Sequence, residues 1–273
     1  RMPSKTETEQ PDKIHNRTAL GNILVFHKLT NRLTYGSTNY SPSRLFKMLE
    51  RIQDDGYQFV SLGNAVANPG RRDIAITFDD GYAHLIDTLP PLMEKFDFKP
   101  TVFVPTAFMG KNNSWDYSSV INSERHLNRS EIRELVALGV EFGSHSHNHV
   151  DLTGCDSSRL RYELLTSKEV LEEVTYTGIT SISYPFGRIN SKVANMAKEM
   201  GYQTGFTMSF PAATDSSFTL GRVAVYFFDS YSTVKQKLTG GSARALHRSV
   251  GRFINGLSYG TVIFNRLTGR TKR

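Results

Sequence analysis

The chain alternates between short, continuous apolar runs and longer stretches with apolar positions three and four residues apart. Short runs bounded by turn residues are the pattern of buried strands, and the wider spacing is that of amphipathic helices. The runs predict strands at Asn22–Phe26, Tyr57–Leu62, Asp73–Phe78, Thr101–Pro105, Val140–Ser144, Ile179–Tyr184, Gln203–Thr207 and Arg222–Tyr226. Between them, Ser41-Pro42 opens a predicted helix through Leu45, Phe46, Leu49 and Ile52 that stops near Gly56. Further helices are predicted at Leu85–Phe96, Ser130–Leu138, Ser157–Val174 and Ser191–Met200. Pro90-Pro91 predicts a late start or a kink in the Leu85–Phe96 helix. At Ser130 the residue three further on is Arg133, which leaves no full capping box there.

Strands that alternate with helices predict an α/β fold, a parallel sheet covered by helices and either open or closed into a barrel. Chemistry in such folds sits at the carboxyl ends of the strands. The places to look are therefore just after Phe26, Phe78, Val104, Ser144, Tyr184 and Val225.

Composition divides the 273 residues into three parts. Residues 1–20 are polar and read as a flexible arm, residues 21–229 as the α/β domain, and residues 230–273 as a basic, partly helical extension. The extension holds nine Lys or Arg residues and no acid, which leaves 24 basic against 26 acidic residues in the rest of the chain. The net charge of +7 therefore belongs to the tail, and it is no argument for a nucleic-acid partner. Within the tail, Ala243–Leu257 has a helical apolar pattern with Arg244, Arg248 and Arg252 on one side. It reads as a helix packed on the domain, or as an attachment to an anionic membrane surface or anionic glycan. No run approaches the length of a membrane-spanning helix, and the polar start Arg1–Lys13 shows no secretory signal. The single cysteine, Cys155, allows no internal disulfide. Nothing in the sequence sets an oligomeric state.

Three of the strand ends carry unusual polar motifs: Thr77-Phe78-Asp79-Asp80-Gly81-Tyr82, Gly143-Ser144-His145-Ser146-His147-Asn148-His149 and Ser183-Tyr184-Pro185-Phe186-Gly187. Adjacent aspartates on an extended segment point to opposite sides, so one can hold a metal while the other faces the reacting atom. His145 and His149 share a face if their loop turns helically, and imidazoles at this spacing bind zinc. Two imidazoles and one carboxylate leave a coordination position open for water, and a second carboxylate can act as general base. Each motif alone has a plainer reading, as a turn or a surface loop. Their joint placement at strand ends favours chemistry.

These motifs resemble those of the polysaccharide deacetylases of carbohydrate esterase family four, the NodB-homology group. Thr77–Gly81 matches the family's first motif unaltered, and His145-Ser146-His147-Asn148-His149, followed by Asp151-Leu152, matches the second. The resemblance spans roughly residues 22–227. It implies an irregular (β/α) barrel, with Asp79 as general base and Asp80, His145 and His149 as metal ligands. It also implies zinc, although such a ligand set accepts cobalt, nickel or iron. The implied substrate is an N-acetylated polysaccharide, and the implied place of work is outside the cytoplasm, in the periplasm or at the cell surface.

The third motif departs from the family's Arg-x-Pro-Tyr, since Ser183-Tyr184-Pro185-Phe186 stands in its place. The resemblance makes the Phe186 N–H an oxyanion donor and puts Tyr184 and Pro185 at the substrate. Arg222 is the candidate substitute for the missing arginine that orients the base, and a surface arginine is the rival reading. The family's Leu-x-His near the carboxyl end is absent. His27, after the first strand, is the candidate general acid, because the first and last strands of a closed barrel are neighbours. Its rival role is that of a structural histidine. Trp115 and Asp116 are candidates for sugar contact. The function that follows is hydrolysis of N-acetyl groups from an N-acetylhexosamine polymer. The alternatives are an O-acetyl esterase or other amide hydrolase on the same scaffold, or a glycan-binding module without activity.

Overall fold

The computed structural model describes residues 22–31, 38–114, 124–208 and 216–239. Trp115, Asp116 and the Ala243–Leu257 stretch lie outside the described residues. Within them, a parallel sheet closes on itself. β1 (Ile23–Phe26) pairs with β5 (Asp73–Phe78), and the sheet continues through β6 (Thr101–Val104), β7 (Glu141–Ser144), β8 (Ser181–Ser183) and β9 (Thr204–Thr207) to β10 (Leu220–Gly221). One residue beyond β10, β11 (Val223–Ala224) pairs with β1. The segment 220–224 therefore bonds β9 with one half and β1 with the other, and Arg222 sits at the changeover. The expected (β/α) barrel is the observed fold. Short additions are β4 (Gln58–Phe59), beside the start of β5, and a pair of β2 (Lys28–Leu29) with β3 (Asn39–Tyr40).

The strands are buried along almost their whole length, as parallel strands covered by helices must be. The covering helices are α1 (Pro42–Asp54), α2 (Leu62–Ala67), α3 (Leu85–Phe96), α4 (Arg129–Ala137), α5 (Ser157–Thr175), α6 (Ser191–Glu199) and α7 (Tyr231–Thr239). Helix α1 shows why they sit as they do: Ser41 caps it, Pro42 occupies its first turn, and Leu45, Met48, Leu49 and Ile52 line its buried stripe. No helix among the described residues is long and apolar enough to cross a membrane.

Several local expectations need correction. Helix α3 starts at Leu85 and runs through Pro90-Pro91. The two missing N–H groups cost two helical hydrogen bonds. Burial of Leu85, Leu89, Leu92 and Phe96 on one stripe outweighs that loss. Helix α4 is capped two residues earlier than expected: Asn128 accepts from the Glu131 N–H, and the Glu131 carboxylate accepts from the Asn128 N–H. This is a full capping box. Helix α7 lies beyond the expected boundary at residues 229/230, yet its Val234 and Leu238 belong to the barrel's own core. Buried Lys237 pairs there with buried Asp229.

Candidate active site

Five strand ends converge at the carboxyl mouth of the barrel. In register, β1 and β5 place Phe26 beside Phe78, so His27 and Asp79 leave the sheet as neighbours, and the Asp79 N–H donates to the Phe26 carbonyl at 2.9 Å. Ser144 and Ile182 are partners on β7 and β8, which brings His145 next to Ser183.

Asp80 turns away from Asp79 for a reason different from strand alternation. The strand ends at Phe78, and Asp80 and Gly81 both take left-handed backbone, φ 70° and 58°. At Gly81 a side chain would also strike Val104, at 2.9 Å. The Asp80 conformation, unfavourable for a non-glycine residue, is held by His126, whose Nδ1–H donates to the Asp80 carbonyl at 2.7 Å.

The histidine loop also differs from the helical turn expected. Ser146 and His149 adopt left-handed φ values of 62° and 53°, and this irregular loop brings the two imidazoles together. Buried Glu163 of α5 organises it. Its carboxylate accepts from the N–H of His147 at 3.0 Å, the N–H of Asn148 at 2.7 Å and the Asn148 amide at 3.0 Å, and it pairs with Arg159. His147 itself turns to Thr106, 2.7 Å from its Nδ1.

The result is a buried trio. Asp80 Oδ1 lies 3.5 Å from His145 Nε2 and 3.4 Å from His149 Nε2, and one donor atom from each residue falls within 4.8 Å of the others. The His145 Nδ1–H donates to the Ser183 carbonyl at 2.7 Å, so its Nε2 keeps the lone pair that faces the trio. These three residues could hold a metal ion.

Beside the trio, Asp79 is only 1% exposed and lies against the closing strand. Arg222 donates to both its oxygens, Nη1 to Oδ1 at 2.8 Å and Nη2 to Oδ2 at 2.7 Å. The Ser183 hydroxyl donates to Oδ2 at 3.0 Å and accepts from Arg222 Nη2 at 2.7 Å, and Thr77 accepts from Nη1 at 3.1 Å. The guanidinium also packs against the rings of Phe103 and Phe206, whose centres lie 5.2 and 5.9 Å from it. A small serine thus stands where the family's commonest motif has an arginine, and an arginine from another strand fills the space.

The electrostatics follow from burial and pairing. Burial by itself would raise the Asp79 carboxyl, but Arg222, with His145 and His27, outweighs it and holds Asp79 below the usual carboxylate range. Asp80 is likewise pushed up by burial, yet the facing rings of His145 and His149 keep it well below that range. For His145, burial works against the charged form, and the two aspartates turn the balance and raise it. Burial lowers His27, against the pull of Asp80 and Asp79, so His27 belongs to the same charge cluster. Its Nδ1 is buried and has no hydrogen-bond partner among the described residues.

Phe186 is half-buried, with left-handed φ of 61°, and its ring meets the His149 ring edge-on at 5.0 Å. Tyr184 and Pro185 are both buried, and for Tyr184 the surroundings correct the expected place at the substrate. Tyr184 belongs to the core, its hydroxyl end in the space left by the absent side chain of Gly205. Strand alternation is the reason: Ser183 faces the site, so the next residue faces the other way. Sequence reasoning placed Ser183 in a strand-end motif but gave it no role, and it missed His126 and Glu163. Glu163 left a signal, an acid between Leu160 and Leu164 on the buried stripe of α5.

The fold and site together define a barrel hydrolase with a candidate metal centre at its mouth. Residues 67–205 match the family described as polysaccharide deacetylase, and the chain belongs to that family. Over 228 residues it is 28% identical to "Putative polysaccharide deacetylase YxkH" of Bacillus subtilis (strain 168), an overlap of 80% of this chain and 74% of that protein. It is 24% identical over 156 residues to the poly-beta-1,6-N-acetyl-D-glucosamine N-deacetylase of Staphylococcus aureus (strain MRSA252), covering 54% of this chain and 51% of that protein. The match spans about half the length of the staphylococcal relative. Among solved structures, the Streptococcus pyogenes deacetylase PplD in complex with acetate has the same fold. Its TM-score is 0.66 at 23% identity, over 80% of this chain and 97% of that one.

Proposed function

We propose that this chain removes N-acetyl groups from an N-acetylhexosamine-containing polysaccharide, in a metal-dependent hydrolysis that gives acetate and a free amine. The observation that carries the reading is the buried trio of Asp80, His145 and His149 beside an Asp79 held at both oxygens by Arg222. One carboxylate oxygen and two imidazole nitrogens form a donor set that suits zinc best and also admits cobalt, nickel or iron. A divalent ion held by these residues would supply Lewis acidity toward water and the amide carbonyl oxygen. Asp79 takes the proton of the attacking water as general base, while Arg222 and Ser183 hold its carboxylate in place. The Phe186 N–H donates to the oxyanion. His27 delivers a proton to the leaving amine. The choice of an N-acetyl group is supported by the staphylococcal relative, whose name gives that activity. A polymeric substrate of this kind puts the work in the periplasm or at the cell surface.

The test combines metal analysis with acetate release from a panel of N-acetylated and O-acetylated glycans. Wild-type protein should hold about one divalent ion per chain and release acetate from N-acetylated polymer. Asp79→Asn should keep the ion and lose turnover. Full activity in that variant would refute the base assignment, and acetate from O-acetylated glycans alone would refute the amide substrate.

A further inference from the structure

Phe227 and Phe228 are 52% and 48% exposed, large apolar side chains open to solvent at the same end of the barrel as the site. They follow β11, which runs beside β1, and the ladder continues past the strand as the Val225 N–H donates to the Val25 carbonyl at 3.1 Å. The chain after Val225 therefore rises alongside His27, at the mouth.

The turn that carries the two rings is held unusually firmly for exposed chain. Asp229 is fully buried, its Oδ2 accepting from the Tyr226 N–H at 2.8 Å and pairing with Lys237 of α7. The Asp229 carbonyl accepts from the Tyr40 hydroxyl at 3.1 Å and from Arg44 Nη2 at 2.9 Å, and Arg44 Nη1 bonds the Phe227 carbonyl. Elements β3, α1 and α7 thus all grip the main chain around Phe228. Above this base the rings are ordered against each other: Phe228 stacks on Tyr226, with centres 5.6 Å apart, and meets Phe227 edge-on at 5.2 Å. Neither phenylalanine belongs to a core cluster of the described residues.

A rigid, exposed aromatic pair loses little conformational freedom on binding, which favours a platform over a loose loop. A pyranose ring offers a face of C–H groups that packs on an aromatic face, while its hydroxyls stay in water. We infer that Phe227 and Phe228 form a platform for a hexosamine ring of the polymer next to the ring that loses its acetyl group. The inference deepens the polysaccharide reading above and rests on it for the identity of the ligand.

The test measures binding and turnover separately, on metal-loaded full-length chain, with β-linked N-acetylglucosamine oligomers of one to six rings. Wild type should bind longer oligomers progressively more tightly. Phe227→Ala/Phe228→Ala should lose most of that gain, about tenfold in affinity for the longest oligomer. Its affinity for a single ring and its thermal unfolding should be unchanged, since both side chains are exposed. Phe227→Tyr/Phe228→Tyr should restore the gain. In turnover, the alanine variant should raise KM on long oligomers and spare kcat. Equal affinity of wild type and alanine variant for every oligomer would overturn the platform. So would absence of a length effect in wild type, or a variant defect confined to association with anionic phospholipid vesicles. Length-dependent binding lost in the variant but without acetate release by wild type would sink the deacetylase reading and keep the platform.

Discussion

Arg222 holds Asp79 at both carboxylate oxygens, 2.8 and 2.7 Å away, across the seam where the last strand segment joins the first. Both side chains are buried, 0% and 1% exposed. Removing the arginine would leave the Asp79 carboxylate buried without its main charge partner. Arg222→Met is therefore expected to lower stability by about 3–5 kcal/mol, and to cost turnover even where the protein remains folded. Asp79→Asn/Arg222→Met, which removes both charges, should recover part of the stability and none of the activity. Denaturant unfolding with acetate release on the same samples checks this. A single variant as stable as wild type would mean that the pair does not hold the seam.

Glu163 touches no member of the metal trio, yet it bonds the backbone on which His145 and His149 are carried. Glu163→Ala should loosen that loop and weaken divalent-ion binding by about 10–100-fold. Glu163→Gln, which can keep one acceptor, should lose less. Calorimetric titration of the apo-protein with zinc measures both. Equal zinc affinity in all three proteins would show that the loop holds its shape without the carboxylate.

Tyr184 separates the structural view of the third motif from the expected one. Its hydroxyl is buried and has no hydrogen-bond partner among the described residues, and an unsatisfied buried polar group costs about 1–3 kcal/mol. Tyr184→Phe should leave KM unchanged and keep or raise stability. A rise in KM would return Tyr184 to the substrate. In the same place, Gly205→Ala should destabilise strongly, because a Cβ there would meet the Tyr184 hydroxyl at 2.1 Å. Thermal melts rank the two.

His84 makes stability depend on pH. Burial, with the charges of Lys28 and His126, pushes its pKa down to about 4 from 6.5, and its Nε2 accepts from the Leu29 N–H at 2.7 Å, which needs the neutral ring. Between these values the unfolded chain binds a proton that the folded one refuses, so stability falls as pH drops from about 6.5 to about 4 and levels off below. His84→Gln should flatten that slope, with an amide oxygen left to accept from Leu29. Unfolding free energies at pH 7, 5.5 and 4 give the comparison, and an unchanged slope would remove His84 as its source.

Much of this protein was legible in one dimension. Most strands and the helices α1, α3, α4, α5 and α6 follow from apolar runs, helical spacing and their Pro, Ser and Gly punctuation, all local properties, whereas α2, α7 and the two-residue strands β2, β3 and β10 are not among the predicted elements. The Asp79-Asp80 pair and the His145–His149 loop are local too, each a short stretch at the end of one strand, so motif and strand end coincide in sequence. Sequence and structure part where two local signals compete. Ser130 reads as a cap, but the acid that completes the box, Glu131, lies three residues after Asn128. The Leu85–Phe96 helix keeps its predicted bounds, the buried stripe overriding the late start that Pro90-Pro91 suggests.

What the sequence by itself determined is most of the barrel's strands, the helices α1, α3, α4, α5 and α6, and the candidate metal-binding trio, because these depend on neighbours a few residues apart. Tertiary structure decided which arginine serves Asp79, 143 residues away in the chain, and that Ser183 makes room for it. It also decided that Tyr184 faces the core and that Glu163 shapes the histidine loop. Those outcomes depend on barrel closure, strand register and the facing of α5, which set distances between side chains that no spacing along the chain encodes.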